Sequence, residues 1–137
     1  MEDYSKFQFK GFKIARSVIE RNDKEASKKI SLGFAPKGFI HKNDQKFQLQ
    51  LGVKIEDENK SFHIEINAVA NYHFENKEGL DNLGNFFYVN APALLFPYIR
   101  AYISTLTNLS GFEPINLPTL NMTGLGEDLK NNTVEVE

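Results

Sequence analysis

The chain has 137 residues, a formal net charge of −2, 41% hydrophobic and 25% charged residues, and neither cysteine nor tryptophan. That is the mixture of one globular domain; it excludes a disulfide framework and thiolate metal sites, and it gives no general attraction to nucleic acid or anionic lipid. No apolar run approaches the ~20 residues of a membrane span, MEDYSKFQFK lacks the order of a secretory signal, and the missing cysteines fit a reducing cytoplasm, so a cytoplasmic protein is expected.

The first half of the chain alternates. In KFQFKGFKIARSVIE the apolar residues are odd at Phe7 and Phe9 and even at Phe12, Ile14 and Val18, and Gly11 sits where the phase changes, as a β-bulge requires. After the polar link NDKEAS, KKISLGFAPKGFIH places Ile30, Leu32 and Phe34 on one face and breaks at Pro36 and Gly38, which fits an edge strand. Next, KFQLQLGVKIE puts Phe47, Leu49, Leu51, Val53 and Ile55 on odd positions. SFHIEINAVANYHF then puts Phe62, Ile64, Ile66, Ala68, Ala70, Tyr72 and Phe74 on even ones. An even-numbered loop lets the two sets share a face, and a loop at 57–60 would oppose Leu51 to Ile66 and Leu49 to Ala68. The short connections predict four antiparallel strands in meander order.

Residues 75–89 read as a connection ending in the aromatic run Phe86, Phe87, Tyr88. A long helix is predicted from Asn90 as N-cap, with Pro92 in its first turn, Gly111 at C′, and Pro97 imposing a kink or a delayed start. One apolar stripe of this helix runs Leu95, Tyr98, Tyr102, Leu106, Leu109, and another Phe96, Ile99, Ile103, Leu106. Together they exceed the ~100° stripe of a surface helix. One can cover the sheet; the other implies a partner subunit. The fold class is therefore α+β, a four-stranded antiparallel sheet followed by a long C-terminal helix packed on it. Residues 1–126 form one domain and 127–137 a polar acidic tail expected to be disordered.

Catalytic patterns are absent from the sequence. His41, His63 and His73 are too widely spaced to share a metal, GLGE at 124–127 reads as a flexible turn, and Glu56, Asp57 and Glu58 read as solvated turn residues. No enzyme activity and no cofactor are expected. The aromatic set of Phe34, Phe39, Phe86, Phe87, Tyr88 and Phe112 suggests an apolar groove as well as ordinary core.

The segment APALLFPYIRAYISTLTNLSGFEPINLPTLN carries LFPYIR (95–100), then a helix, then GFEPINLP (111–118), with Asn121 beyond. It resembles the SecB family of export chaperones over about 30 residues. The resemblance implies an ATP-independent holdase that binds unfolded polypeptides in apolar grooves and assembles as a dimer of dimers through the long helices. The charge and the absence of a long apolar run predict no nucleic-acid partner and no membrane insertion. Client-binding residues would be Phe112, Ile115, Leu117 and Met122, with Phe34 and Phe86, Phe87 and Tyr88 opposite. Tyr98, Ile99, Tyr102, Ile103 and Leu106 would form the oligomer interface. Arg100 would serve structure. Gly124 and Gly126 predict a second helix that is short or frayed. Docking of the SecA motor would fall to Glu20 and Glu65. An antitoxin-dedicated chaperone and an oligomeric adaptor with the same fold are the alternatives.

Overall fold

The computed structural model describes residues 7–75, 84–117 and 122–136, with side chains from Phe87 onward in the first helix and from Gly124 onward in the second. Strands β1 (Phe7–Arg21), β2 (Ile30–His41), β3 (Lys46–Asp57) and β4 (Phe62–Phe74) precede helix α1 (Gly84–Leu109), helix α2 (Met122–Asn131) and a short strand β5 (Thr133–Glu135). The sheet therefore has five strands, not four. Residues 127–136, expected to be a frayed tail, continue α2 and supply β5, which runs parallel to β2.

The alternation in β3 and β4 has the predicted outcome. Phe47, Leu49, Leu51, Val53 and Ile55 of β3 and the even residues of β4 are all buried on one face. Their register differs: Leu51 opposes Ala68 and Leu49 opposes Ala70, two residues away from the predicted pairing. A slip of two preserves the faces, so the burial pattern is unchanged. The cause is Asp57, which stays extended and turns the chain with its side chain. Its Oδ1 accepts from the Ser61 amide (2.6 Å) and the Phe62 amide (3.3 Å), and its Oδ2 from the Ser61 hydroxyl (2.6 Å).

The order of strands is β1-β4-β3-β2-β5, so the predicted meander is wrong: β1 pairs with β4. The link of residues 22–29 can reach roughly 26 Å, whereas three strand spacings need only about 14 Å, so a short link did not force neighbours to pair. That link crosses the β3–β4 turn and is fastened to it. Asp57 Oδ2 accepts from the Ser27 amide (2.9 Å), the Asn59 amide group donates to Glu25 O (2.9 Å), and that of Asn22 donates to Lys60 O (2.8 Å). Asp57 is thus a buried organising carboxylate and not a solvated turn residue. Burial alone would raise its pKa, but the hydrogen bonds from Ser61, Ser27 and Phe62 outweigh it and hold the carboxyl at about 2.

β1 carries the predicted bulge at Gly11 (φ +125°), and a second register shift follows between Ile14 and Arg16. The second shift moves Ile19, not Val18, to the core face, because Ile19 opposes Ile64 while Val18 opposes Glu65.

α1 begins at Gly84, upstream of the expected Asn90, and contains both Pro92 and Pro97. Phe87, Ala91, Leu95, Ile99, Ile103 and Thr107, spaced by four, are all buried, so the aromatic run belongs to the helix and its core stripe. Tyr72 on β4 donates its hydroxyl to Ala91 O (2.5 Å), joining sheet to helix, and its burial raises the phenol pKa. The helix ends as predicted at Gly111 (φ +86°): the Gly111 amide bonds to Asn108 O (3.3 Å) and the Phe112 amide to Thr107 O (3.0 Å), a Schellman pattern.

Candidate functional site

The Schellman turn delivers Phe112 to one end of the sheet. Its ring meets Phe62 edge-on, with centroids 5.7 Å apart and planes at 77°, and the Arg21 guanidinium lies 4.9 Å from its centroid. The chain beyond is pinned by Thr107, whose Oγ1 donates to Ile103 O (2.9 Å) and accepts from the Ile115 amide (3.0 Å). A groove opens between this loop and the 22–28 link, lined by Arg21, Lys28, Ile30, Phe62, Phe112 and Pro114. Ile30 is 45% exposed there. Ile115 lines the groove from below and, like Leu117, joins the hydrophobic core.

The expected opposite wall lies elsewhere. Phe87 is buried at the other end of β4, with ring centroids 4.8 Å from Phe7, 4.6 Å from Phe47 and 6.1 Å from Phe74. The 13 residues of β4 separate the Phe62 and Phe74 ends, about 40 Å at ~3.3 Å per residue. Tyr88 follows Phe87 (5.1 Å), and Phe34, on β2, meets Phe96 edge-on at 6.1 Å. Phe86 and Met122 have side chains outside the described residues. The groove thus brings together Phe112 and Ile115 of the expected set with Phe62, Ile30 and Arg21, three residues not expected there from sequence. Phe62 carries a hint in being the first apolar residue after the β3–β4 turn.

The apolar stripes of α1 divide differently from expectation. Ile99 and Ile103 are fully buried against the sheet and cannot meet a partner. Tyr98 (47% exposed), Leu94 and Leu109 (80% exposed) lie on the outside, with Tyr102 and Leu106 half-buried between the two faces. Tyr98 continues into β1: its ring centroid is 5.5 Å from Phe9 and 5.0 Å from the exposed Phe12. A single apolar patch therefore spans α1 and the β1 edge of the sheet, which has no outer strand among the described residues. Arg100 stacks its guanidinium over Phe96 at 5.1 Å, a structural placement.

On the opposite face of the sheet, Glu65 is held by Arg16 (3.3 Å), His63 (3.5 Å) and Lys54 (3.9 Å). Its pKa is lowered: burial opposes this, while His63, Arg16 and Lys54 outweigh it. Glu20 is exposed near the end of β1. Among the described residues no group of His, Asp or Glu could hold a metal, and no helix is long and apolar enough to cross a membrane.

A twisted sheet with a long helix on one face and a second helix returning to its edge defines an α+β fold of the SecB-like class. The fold superposes with a TM-score of 0.70 on the Mycobacterium tuberculosis SecB-like chaperone in complex with a peptide from the HigA1 antitoxin, at 19% identity over 85% of this chain and 89% of that one. It also superposes on a Streptococcus agalactiae protein of unknown function, with a TM-score of 0.53 and 8% identity over 82% and 97% of the two chains. Residues 15–132 match the family described as preprotein translocase subunit SecB, and the chain belongs to the SecB family. In sequence it is 37% identical over 62 residues to an uncharacterized protein of Methanocaldococcus jannaschii, covering 43% of this chain and 40% of that one. It is 31% identical over 88 residues to the protein-export protein SecB of Cereibacter sphaeroides, covering 60% and 52%. The matches span about half the length of these curated relatives.

Proposed function

We propose that this protein is an ATP-independent holdase chaperone that retains non-native polypeptides in the Phe112 groove and assembles through the outer stripe of α1. The observation that carries this reading is that folding leaves apolar side chains exposed on two separate surfaces. One is the groove at the end of the sheet, where Phe112, Ile30 and the largely buried Phe62 stand among polar residues of the 22–28 link, and the other is the Phe12–Tyr98 patch with Leu94 and Leu109. Aromatic and aliphatic walls accept many apolar side chains with little demand on their order, which suits a binder of unfolded chains. The second surface supports self-association, in a dimer or a dimer of dimers.

The test is suppression of aggregation of a chemically unfolded protein without ATP. Wild type delays aggregation, and Phe112→Ser with Ile30→Ser reduces the delay while leaving the circular dichroism spectrum unchanged. Absence of both protection and binding to unfolded chains supports an oligomeric adaptor instead. Within the holdase reading, the three partners already around Glu65 argue against that carboxylate as a docking point for SecA, and the antitoxin peptide bound by the mycobacterial chaperone supports a client of that kind. The proteins that co-purify separate these roles: SecA for export, a small antitoxin for the dedicated version.

A further inference from the structure

The face of the sheet away from α1 is ordered in rows by the strand register. Ala35, Gly52 and Asn67 stand side by side across β2, β3 and β4, and the row continues onto β1 at the bulged Ala15 and Arg16. These small residues form the floor of a cavity that reaches Val69 on one side and Val134 and Asp128 at the β2 end. In the next row, Lys37 opposes Gln50 and Lys13 opposes Val69; on the other flank, Lys54 opposes Glu65. Lys13, Arg16, Lys37 and Lys54 are all exposed. Of the carboxylates by the cavity, Glu65 is already held by Arg16, Lys54 and His63, and Asp128 stands at the β2 end, away from Lys13 and Arg16 on β1. Glu20 and Glu56 lie at the far end of the strands, opposite His63 on either side. The whole chain carries −2, so this cationic surplus is a property of the face and not of the composition.

The geometry points to a docking trough for an acidic polypeptide segment. Its backbone and small side chains lie on Ala15, Ala35 and Gly52, its carboxylates face Lys13, Arg16, Lys37 and Lys54, and Gln50 and Asn67 supply amide hydrogen bonds. The floor residues carry no ring on which a nucleic-acid base could stack, and Phe39, the aromatic two residues beyond Lys37, has the Lys37 ammonium 5.4 Å from its own ring centroid. The trough and the Phe112 groove occupy different faces, so this inference stands apart from the holdase reading.

The probe is a short poly-L-glutamate peptide, titrated into the full chain and followed by backbone-amide NMR and fluorescence anisotropy. Shifts are expected on Ala35, Gly52 and Asn67, with binding that weakens as salt is added. Lys37→Glu with Lys54→Glu should weaken binding by about tenfold or more, the equivalent of roughly one lost charge-assisted contact. Lys24→Glu, in the 22–29 link, should leave it unchanged. A Cβ at Gly52 would make only ordinary contacts, 3.4 Å to Asn67 Oδ1 and 3.5 Å to Ala35 Cβ, so Gly52→Leu, on the face away from the core, should fill the trough and abolish binding. Shifts confined to residues 22–28, wild-type binding by Gly52→Leu, or a short DNA duplex outcompeting the peptide would each overturn the assignment.

Discussion

A methyl group added to Gly126 would stand 2.9 Å from Val89 Cγ2 and 3.3 Å from the Tyr88 carbonyl oxygen. The glycine that reads as a helix breaker therefore sits where α2 packs tightly on α1. Pro92, having no N–H, cannot close the helical bond to that Tyr88 carbonyl, and Gly126 packs against the same turn. Gly124, two residues away, has nothing within 4 Å of an added Cβ. Gly124→Ala should stabilise the protein by about 1 kcal/mol through helix propensity. Gly126→Val should destabilise it by about 1–3 kcal/mol through overpacking. Thermal unfolding of the two variants checks the pair, and shifts of the same sign would contradict the packing described.

Asp57 makes stability depend on acidity. Its carboxyl sits at about 2 when folded, against an ordinary value of 3.8, so its contribution is fully present above the higher value. The contribution then fades as pH falls from about 4 through about 2. In denaturant titrations, Asp57→Asn should be less stable than wild type by a constant margin above pH ~5, and the margin should close toward pH ~2. A margin independent of pH would mean the carboxylate charge is not what Ser61, Ser27 and Phe62 hold.

Tyr98 and Ile103 share α1 but answer different questions. Ile103 is fully buried, so Ile103→Glu places an unpaired charge in the core and should unfold the chain. Tyr98→Glu lies outside and should leave the circular dichroism intact while lowering the mass measured by light scattering. An unchanged mass for Tyr98→Glu would remove the outer stripe as the assembly surface.

Gly38 is the seat of β5. A side chain there would collide with Thr133 Oγ1 and come within 2.8 Å of the Phe47 ring. Gly38→Ala should therefore release β5 from β2. Hydrogen exchange reads this directly: the amides of Gly38, bonded to Asn132 O (3.2 Å), and Val136, bonded to Ile40 O (2.7 Å), should exchange faster, while those of β3 stay protected.

The core was legible in the sequence because parity survives errors of register. Leu49 and Leu51 faced the interior whichever even-numbered partner opposed them. What the alternation could not convey was which strand lies beside β1, since the link 22–29 fits either topology and its choice depends on long-range bonds to Asp57. The second shift of β1, past Ile14, had no glycine to mark it, and so Val18 and Ile19 exchanged faces unseen. α1 was half legible. Its end at Gly111 followed from backbone chemistry, but the spacing of four linking Phe87 to Leu95 was masked by two prolines and the glycine-rich approach. The outward stripe was sound in principle and misassigned at Ile99 and Ile103, because two overlapping stripes on one helix cannot be told apart without the sheet. For the groove, Phe112 was legible from its place after Gly111, whereas Phe62, Ile30 and Arg21 meet it only through the crossing of strands.

The two edges of the sheet are unlike. β5 occupies β2 at Gly38, Phe39 and Ile40, and Pro36 beside it offers no N–H, whereas β1 presents its outer edge along a strand of 15 residues. In the language of polymer chemistry, each copy has one open end for strand addition and one that is partly capped. Two copies joined β1 to β1 about a two-fold axis would leave outward only the β2 side, which is capped over Gly38–Ile40 and interrupted at Pro36. A protein whose proposed work exposes it to unfolded, sticky chains thereby carries a partial chain stopper at Thr133–Glu135.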